Sequence, residues 1–591
     1  MLVTGEGVAD TVRAKGALEQ ARAEVEASVS ALQQSRMTDV EMVRRAGALA
    51  ESAQADSQAA EQVLSQGLAM SLASEIAGSR YQVRAGRAVA TMGRRSADAL
   101  QRASSLAVSY LERRAGGDGP IDAAARTLVE GGQDVNGIFE DVYAVEATRA
   151  TISGAGLPPV LASALAEFDT RLGPWLERVK DFESLRGVAQ TVLGVSRPSS
   201  YLLLLADNSE LRPGGGFIGS FATFGFDGGR LQSPRVADIY TLDVSRQTRS
   251  DWARGGGHYI EPPPPLRRLL KDDGLMLRDA SWSPFWIDDA RQAEDLFQVE
   301  SGQRVDGVVQ IDPAAISIVL DMTGPVAVPG YSQPVDSANV LPATLENTRT
   351  SRNGENRKAF LDVLATALLE RLSALPPERW LDLGKALTRA GDERHLFAYA
   401  NDPALEALVE RGSLSGRMGA PENDGLRVIY GNVGGNKTDY WLRRSMQLEV
   451  DSRTGTHHLE VDLMNQSPGL PGGYYFAYVR FYLPPSATEV TAAGFWGSLD
   501  DLGPDHGWRV LGGYVKVLKG KSGRLTLAYR VPPGVGKYRL DVVKQPGAAA
   551  DPIEVRVAAP PGVQVPQGAV RQGDTLMWKS ALYGDLSLSL D

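Results

Sequence analysis

Residues 201–217 read Tyr-Leu-Leu-Leu-Leu-Ala-Asp-Asn-Ser-Glu-Leu-Arg-Pro-Gly-Gly-Gly-Phe. The continuous apolar run 201–206 fits a strand buried on both faces. It ends in a carboxylate, an amide, a second acid and an arginine, and then three glycines. Residues 217–226 form a second strand-like run, and Asp227-Gly228-Gly229 is a hairpin signal. Further on, residues 289–298 read as helix, 305–311 as strand and 313–320 as a short helix. Residues 357–372 form an amphipathic helix with Phe360, Leu361, Leu364, Leu368 and Leu372 on one face. Strands alternating with helices predict an α/β domain over residues 196–415. A tetraproline at 262–265 lies in a long loop, of a length usually tied to function or mobility.

On the N-terminal side, Leu18, Ala21, Val25, Val29 and Leu32 recur at helical spacing, and the pattern resumes from Met42 to Leu111. The heptad is irregular and alanine and serine abound. Residues 1–195 therefore predict a helical bundle or stalk, whose simplest role is that of a spacer. On the C-terminal side, alternation is clear at 446–450, 458–463, 478–483 and 525–529, with Gly and Pro turns between. Residues 425–591 predict an antiparallel β-sandwich. The fold class expected is thus multidomain α+β: helical bundle, α/β domain, sandwich.

The 591 residues hold no cysteine, five histidines, 62 basic and 72 acidic side chains, and a formal net charge of -10. Without cysteine there are no disulfides, thiolate metal sites or thiol nucleophiles. The acidic balance excludes a general nucleic-acid binder. No Gly-x-Ser-x-Gly elbow sits at a strand–helix junction, and no histidine fits a triad. Arginines, carboxylates, hydroxyls and lysines remain to carry any chemistry. The chain opens with Met1-Leu2-Val3 and passes directly into helix. We expect a membrane anchor upstream of this numbering.

Four constellations stand out. In the first, Asp207, Asn208, Glu210, Arg212 and Gly215 follow a strand. Glycine backbone beside a guanidinium suits phosphate or carboxylate, while the competing reading is a tight turn holding an Arg–Glu pair. In the second, Arg349, Arg352, Arg357 and Lys358 gather at a helix entry with Asn353 and Asn356. Cations there oppose the helix dipole unless they splay into solvent or converge on an anion. Arg235 and Asp238 add a cation–carboxylate pair after another strand. In the third, Asp288 and Asp289 follow Trp282-Ser283-Pro284 and read better as first-turn acids than as magnesium ligands. In the fourth, residues 434–441 (Gly-Gly-Asn-Lys-Thr-Asp-Tyr-Trp) bring Lys437 and Asp439 to the sandwich boundary, either to pin the domains through a Lys–Asp network or to line a cleft. His457 and His458 alternate faces of one strand, which a surface position explains.

Residues 201–221 resemble the hallmark segment of the "domain of unknown function 4012" family of bacterial envelope proteins. The likeness continues through Trp282-Ser283-Pro284, residues 305–313, Thr323-Gly324-Pro325-Val326, residues 356–361, residues 434–440 and Lys544-Gln545-Pro546-Gly547. In that family a membrane helix precedes a helical region, and an Asp tends to follow Trp-Ser-Pro, where Phe285 stands here. A more distant resemblance is to the LytR–CpsA–Psr glycopolymer transferases, in order of elements rather than identity. It implies Arg212, Arg235, Arg349, Arg352 and Arg357 clamping a diphosphate, Asp207 and Asp238 holding magnesium, and Asp207, Arg212, Arg235 and Asp238 acting in phosphoryl transfer. Asn208, Glu210, Gly215, Lys437 and Asp439 would line the substrate site.

Two functions follow as expectations. One is an extracytoplasmic envelope protein, anchored in the membrane, that binds and transfers a polyprenyl-diphosphate-linked saccharide. The other is a non-catalytic surface scaffold, in which the arginines pair with acids instead of converging. The helical region would support homo-oligomers in either case.

Overall fold

The computed structural model describes residues 5–35, 38–66, 80–153, 157, 159–171, 190–195, 197–243, 259–270, 274–329, 331–350, 355–373, 375, 379–419, 423–468, 473–533, 537–559 and 563–590. The protein is mixed α and β, helical at its N-terminal end, with strands in three sheets. It divides into two compact units. The first is Met1–Ser199 with Gly225–Gln232 and Ser373–Trp380, and the second holds everything else. The predicted α/β and sandwich blocks therefore share one unit. Most of the loop that carries the tetraproline lies outside the described residues.

In the first unit, α1 (Gly5–Ser35), α2 (Val40–Gln66) and α3 (Arg80–Ala115) pack side by side, and α3 also packs on α4 (Pro120–Glu130) and α5 (Gly132–Ala150). Ala14 near the start of α1 clusters with Ala60 and Leu64 near the end of α2 and with Val83 and Ala90 of α3. Val25, Ala50, Ala53, Ala97 and Leu100 form the next layer. Early α1 against late α2 against early α3 is an antiparallel arrangement. The small residues allow it to be tight: a Cβ on Gly93 would stand 2.8 Å from Ser57 Oγ. Among the described residues no helix is long and apolar enough to cross a membrane.

The second unit contains a five-stranded sheet of order β3-β2-β1-β4-β5, made of β1 (Tyr201–Asp207), β2 (Phe217–Asp227), β3 (Arg230–Asp238), β4 (Gly307–Ile311) and β5 (Leu396–Ala400). β1 runs antiparallel to β2 and parallel to β4. Between β3 and β4 comes α6 (Trp286–Ser301), and α7 (Pro313–Thr323) follows β4. Asp312 caps α7 by accepting from the N–H groups of Ala314 and Ala315, with Pro313 at the first helical position.

The remaining strands form two sheets. One contains β6 (Asp424–Asn432), β9 (Tyr474–Leu483), β11 (Asp500–Asp505), β12 (Trp508–Leu518) and β14 (Tyr538–Val543). The other contains β7 (Leu442–Asp451), β8 (Thr456–Asn465), β10 (Thr488–Ala493), β13 (Ser522–Arg530) and β15 (Pro552–Ala558). Their inner faces interdigitate through Val428, Leu448, Val461, Val479, Leu527 and Val555. The expected antiparallel pattern is broken once in each sheet: β14 runs parallel to β6, and β15 runs parallel to β7. His457 is not a surface residue. It is 1% exposed, lies 2.6 Å from Asp424 Oδ2 through Nε2, and stacks on Tyr529. Its neighbour His458 points outward.

β6 is buried at every position. Leu426, Val428 and Tyr430 enter the sandwich core, while Ile429 packs with Phe285, Tyr482 and Trp508 on the opposite face. On that opposite face Gly431 meets Trp282, whose ring would stand 3.0 Å from an added Cβ. Arg427 donates to the Pro284 carbonyl and lies over Phe285 and Tyr482. Arg480 donates to the Trp282 carbonyl at 2.8 Å. The Trp-Ser-Pro loop is thus held against the sandwich by two arginines.

The small-residue seam of the bundle gives one test. Ala53→Leu, in the layer of Val25, Ala97 and Leu100, forces α2 away from its neighbours. Overpacking of this kind costs about 1–3 kcal/mol. We expect the helical far-UV transition of the full chain to move to lower temperature.

Candidate functional site

The loop after β1 lies at the junction of the five-stranded sheet and the sandwich. Its first residue, Asp207, pairs with the Lys437 ammonium and accepts from both the hydroxyl and the N–H of Ser209. Burial alone would raise the Asp207 carboxyl. The Lys437 charge and the Ser209 hydrogen bonds outweigh it and hold the group below its ordinary value. Asn208 donates to Asp312 Oδ2 at 3.3 Å and to the Gly547 carbonyl at 3.2 Å.

Arg212 is 2% exposed. It binds Glu210 Oε1 at 3.0 Å, donates to the Asn432 carbonyl, and sits over Phe217 and Trp282. Burial raises the Glu210 carboxyl, against the opposing pull of Arg212 and Lys437. The glycines pack just as closely. Gly216 has φ +155 and presses on the Asp207 backbone, where a Cβ would stand 2.7 Å from Asp207 C. Gly214 donates to the Ser281 carbonyl, and Gln310 donates to the Gly214 carbonyl at 2.6 Å. Gly215 donates to the Arg212 carbonyl.

Residues 434–441 meet this loop from the sandwich side. Lys437 pairs across to Asp207 rather than with Asp439. Asp439 instead receives Arg444, the Asn432 amide at 2.8 Å and the Leu211 N–H at 3.2 Å, deep in the interior. Arg444 lies over Tyr430. Gln545 completes the junction: its side-chain oxygen accepts from Tyr430 N–H at 2.8 Å, and its amide donates to the Tyr430 and Arg212 carbonyls.

A second buried chain runs alongside. His395 Nδ1 lies 2.7 Å from Asp312 Oδ2, and Nε2 lies 3.2 Å from Lys544 Nζ. With the carboxylate accepting from Nδ1–H, Nε2 is left to accept from the ammonium. Lys544 also donates to the Glu393 carbonyl, and burial lowers it to about 8 against the attraction of Asp312. All three side chains are more than nine-tenths buried.

The structure thus brings together Asp207, Asn208, Glu210, Arg212, Gly215, Lys437 and Asp439. Asp238 is elsewhere, on an edge strand two strands from β1, where its carboxylate accepts from Tyr240 N–H. The side chains of Arg235, Arg349 and Arg357, and all of Arg352, fall outside the described residues. Among the described residues no group of three or more acids or histidines is arranged to hold a metal ion. Asp207 and Asp238 do not fit magnesium, because the first is occupied by Lys437 and Ser209 and the second by a turn.

Asp289 takes a first-turn position in α6, where Oδ1 accepts from Ser283 N–H at 2.8 Å and Oδ2 is buried without a partner. Asn432, Arg427, Arg444, Asp312, His395, Lys544 and Gln545 also belong to this junction. The sequence offered a signal for Asp312, an acid before a helix-starting proline, and none for His395.

Residues 197–348 match the family described as "Protein of unknown function (DUF4012)". No match was found among curated proteins. Among solved structures, B. subtilis TagV matches at 14% identity and a TM-score of 0.23, over 36% of this chain and 79% of that one. A candidate nutrient binding protein (lpg2210) from Legionella pneumophila subsp. pneumophila str. Philadelphia 1 matches at 11% identity and a TM-score of 0.22, over 29% of this chain and 71% of that one. Likenesses of that size are too slight to transfer a substrate or a mechanism.

Two substitutions test the junction. Burial, reinforced by Asp288, pushes the Asp289 carboxyl well above the usual range, although the Ser283 N–H opposes it. The folded protein therefore keeps this proton at a pH where the unfolded chain has lost it, and stability falls as pH rises between the two values. Asp289→Asn removes that slope. Relative to the parent it should gain stability as pH rises from 4 to 7, read from denaturation at both values. Gly547 has φ +68, and an added Cβ would stand 2.0 Å from the Gly215 carbonyl oxygen. Gly547→Ala should destabilise by about 1–3 kcal/mol, measured by urea unfolding.

Proposed function

We propose that this chain is a non-catalytic structural protein of the bacterial cell envelope, working outside the cytoplasmic membrane. In this reading the helical unit is a spacer and a contact for a second copy, and the β-rich unit is a rigid body for assembly or adhesion. One observation carries it. The residues best suited to clamp an anion are already used up internally, with Arg212 buried against Glu210 and Asn432, and Asp207 closed by Lys437. A phosphate reaching Arg212 would have to displace a carboxylate from a desolvated pair, and uncovering such a charge costs several kcal/mol.

A second reading keeps the binding and transfer of a phosphorylated, lipid-linked saccharide. The sequence run that holds Arg349, Arg352, Arg357 and Lys358 favours it, with Arg357 and Lys358 in the first turn of the helix Glu355–Ser373. Any magnesium would then arrive with the diphosphate.

Incubating the full chain with vesicles containing a polyprenyl-diphosphate oligosaccharide and magnesium separates the two. The scaffold reading expects no transfer product and no saturable binding beyond that of vesicles lacking the saccharide. Saturable binding that Arg352→Ala and Arg357→Ala weaken at least tenfold would replace it with the second reading.

A further inference from the structure

We propose that Lys437 and Asp207 condense within the folded chain, the Lys437 Nζ becoming amide-bonded to the Asp207 Cγ as an intramolecular isopeptide cross-link. The geometry sets this pair apart. Its side chains are 20% and 17% exposed, and they meet across the junction between the end of β1 and the loop before β7. Among the described residues, the other lysine–carboxylate pairs at Lys15–Glu19, Lys385–Asp382 and Lys579–Glu554 have lysines at least half exposed to water. Lys544, the most buried lysine, faces a histidine and a carbonyl and has no carboxylate against its nitrogen.

Two groups are needed, and both are present. The nucleophile is Lys437 Nζ and the electrophile is the Asp207 Cγ. Ser209 fixes the Asp207 oxygens through its hydroxyl and its N–H.

The step balances without any co-reactant. An ammonium and a carboxylate become one amide and one water. The nitrogen loses two protons and the carboxyl loses one oxygen, and these leave together as the water. Holding the nitrogen against the carboxyl in the folded state supplies the proximity that the same groups lack in solution. The removal of two opposite charges from a poorly solvated place favours the neutral amide.

The test is the intact mass of the purified full chain under denaturing conditions. The proposal expects a mass one water below the sequence value, and a branched proteolytic peptide joining the segments around Asp207 and Lys437. Lys437→Arg and Asp207→Ala should each restore their own full sequence mass. A parent chain at its full sequence mass overturns the proposal and leaves an ion pair. So does a water loss that maps elsewhere or survives Lys437→Arg, as succinimide formation at an Asp-Gly bond would.

Discussion

A strand buried along both faces leaves no backbone group to water, and β6 is such a strand. Every N–H and C=O along it must find a protein partner, or the unit forfeits a desolvation cost of about 1–3 kcal/mol per orphan. One edge is covered by β9. The other is covered in relay. β14 pairs up to Arg427, the Gln545 side chain then serves both backbone groups of Tyr430 in place of a strand residue, and the Leu211 carbonyl takes the Asn432 N–H. The loop after β1 and the Lys-Gln-Pro-Gly turn occupy their positions because β6 needs an edge there. The close glycines follow from that, since two turns and a strand end must fit into one small space.

Charge follows the same logic. Arg212, Asp439 and Arg444 are all nearly inaccessible, and each has a partner of opposite sign or a carbonyl. Buried ion pairs of this kind add little net stability, but breaking one is expensive, so they favour one register over its rivals. That accounts for a segment that looks like an anion site while its charges are directed at one another. Asp289 differs from these in having no opposite charge against it among the described residues: one of its oxygens is buried and unmatched, and burial pushes its carboxyl towards the protonated form.

Much of the architecture was legible because half-buried elements alternate. The helix over 357–372 and the strand over 217–226 lie close to Glu355–Ser373 and Phe217–Asp227. β7, β8 and β13 also announced themselves by alternation. β6 did not, because burial on both sides erases the period-two signal, and the strand that organises the unit was the hardest to see. The parallel pairs were invisible for a different reason: β6 with β14 and β7 with β15 are joined by long stretches of chain, and local patterning carries no partner information. At the junction, sequence picked out Asp207, Arg212, Lys437 and Asp439 by type and density. It could not assign their partners: the expected Lys–Asp network left open which acid Lys437 meets, and that acid is Asp207.

The reach of the Asn208–Gly547 contact bears on how the protein is made. The two residues are 339 positions apart, and Gln545 completes the edge beside them. At about 5–20 residues per second, a growing chain spends on the order of tens of seconds with the loop after β1 already formed and its covering turn not yet synthesised. Throughout that interval β2 and β4 can already pair with β1, but the glycine loop lacks the turn that covers it. The junction between the five-stranded sheet and β6 can therefore close only after the Lys-Gln-Pro-Gly turn has been made.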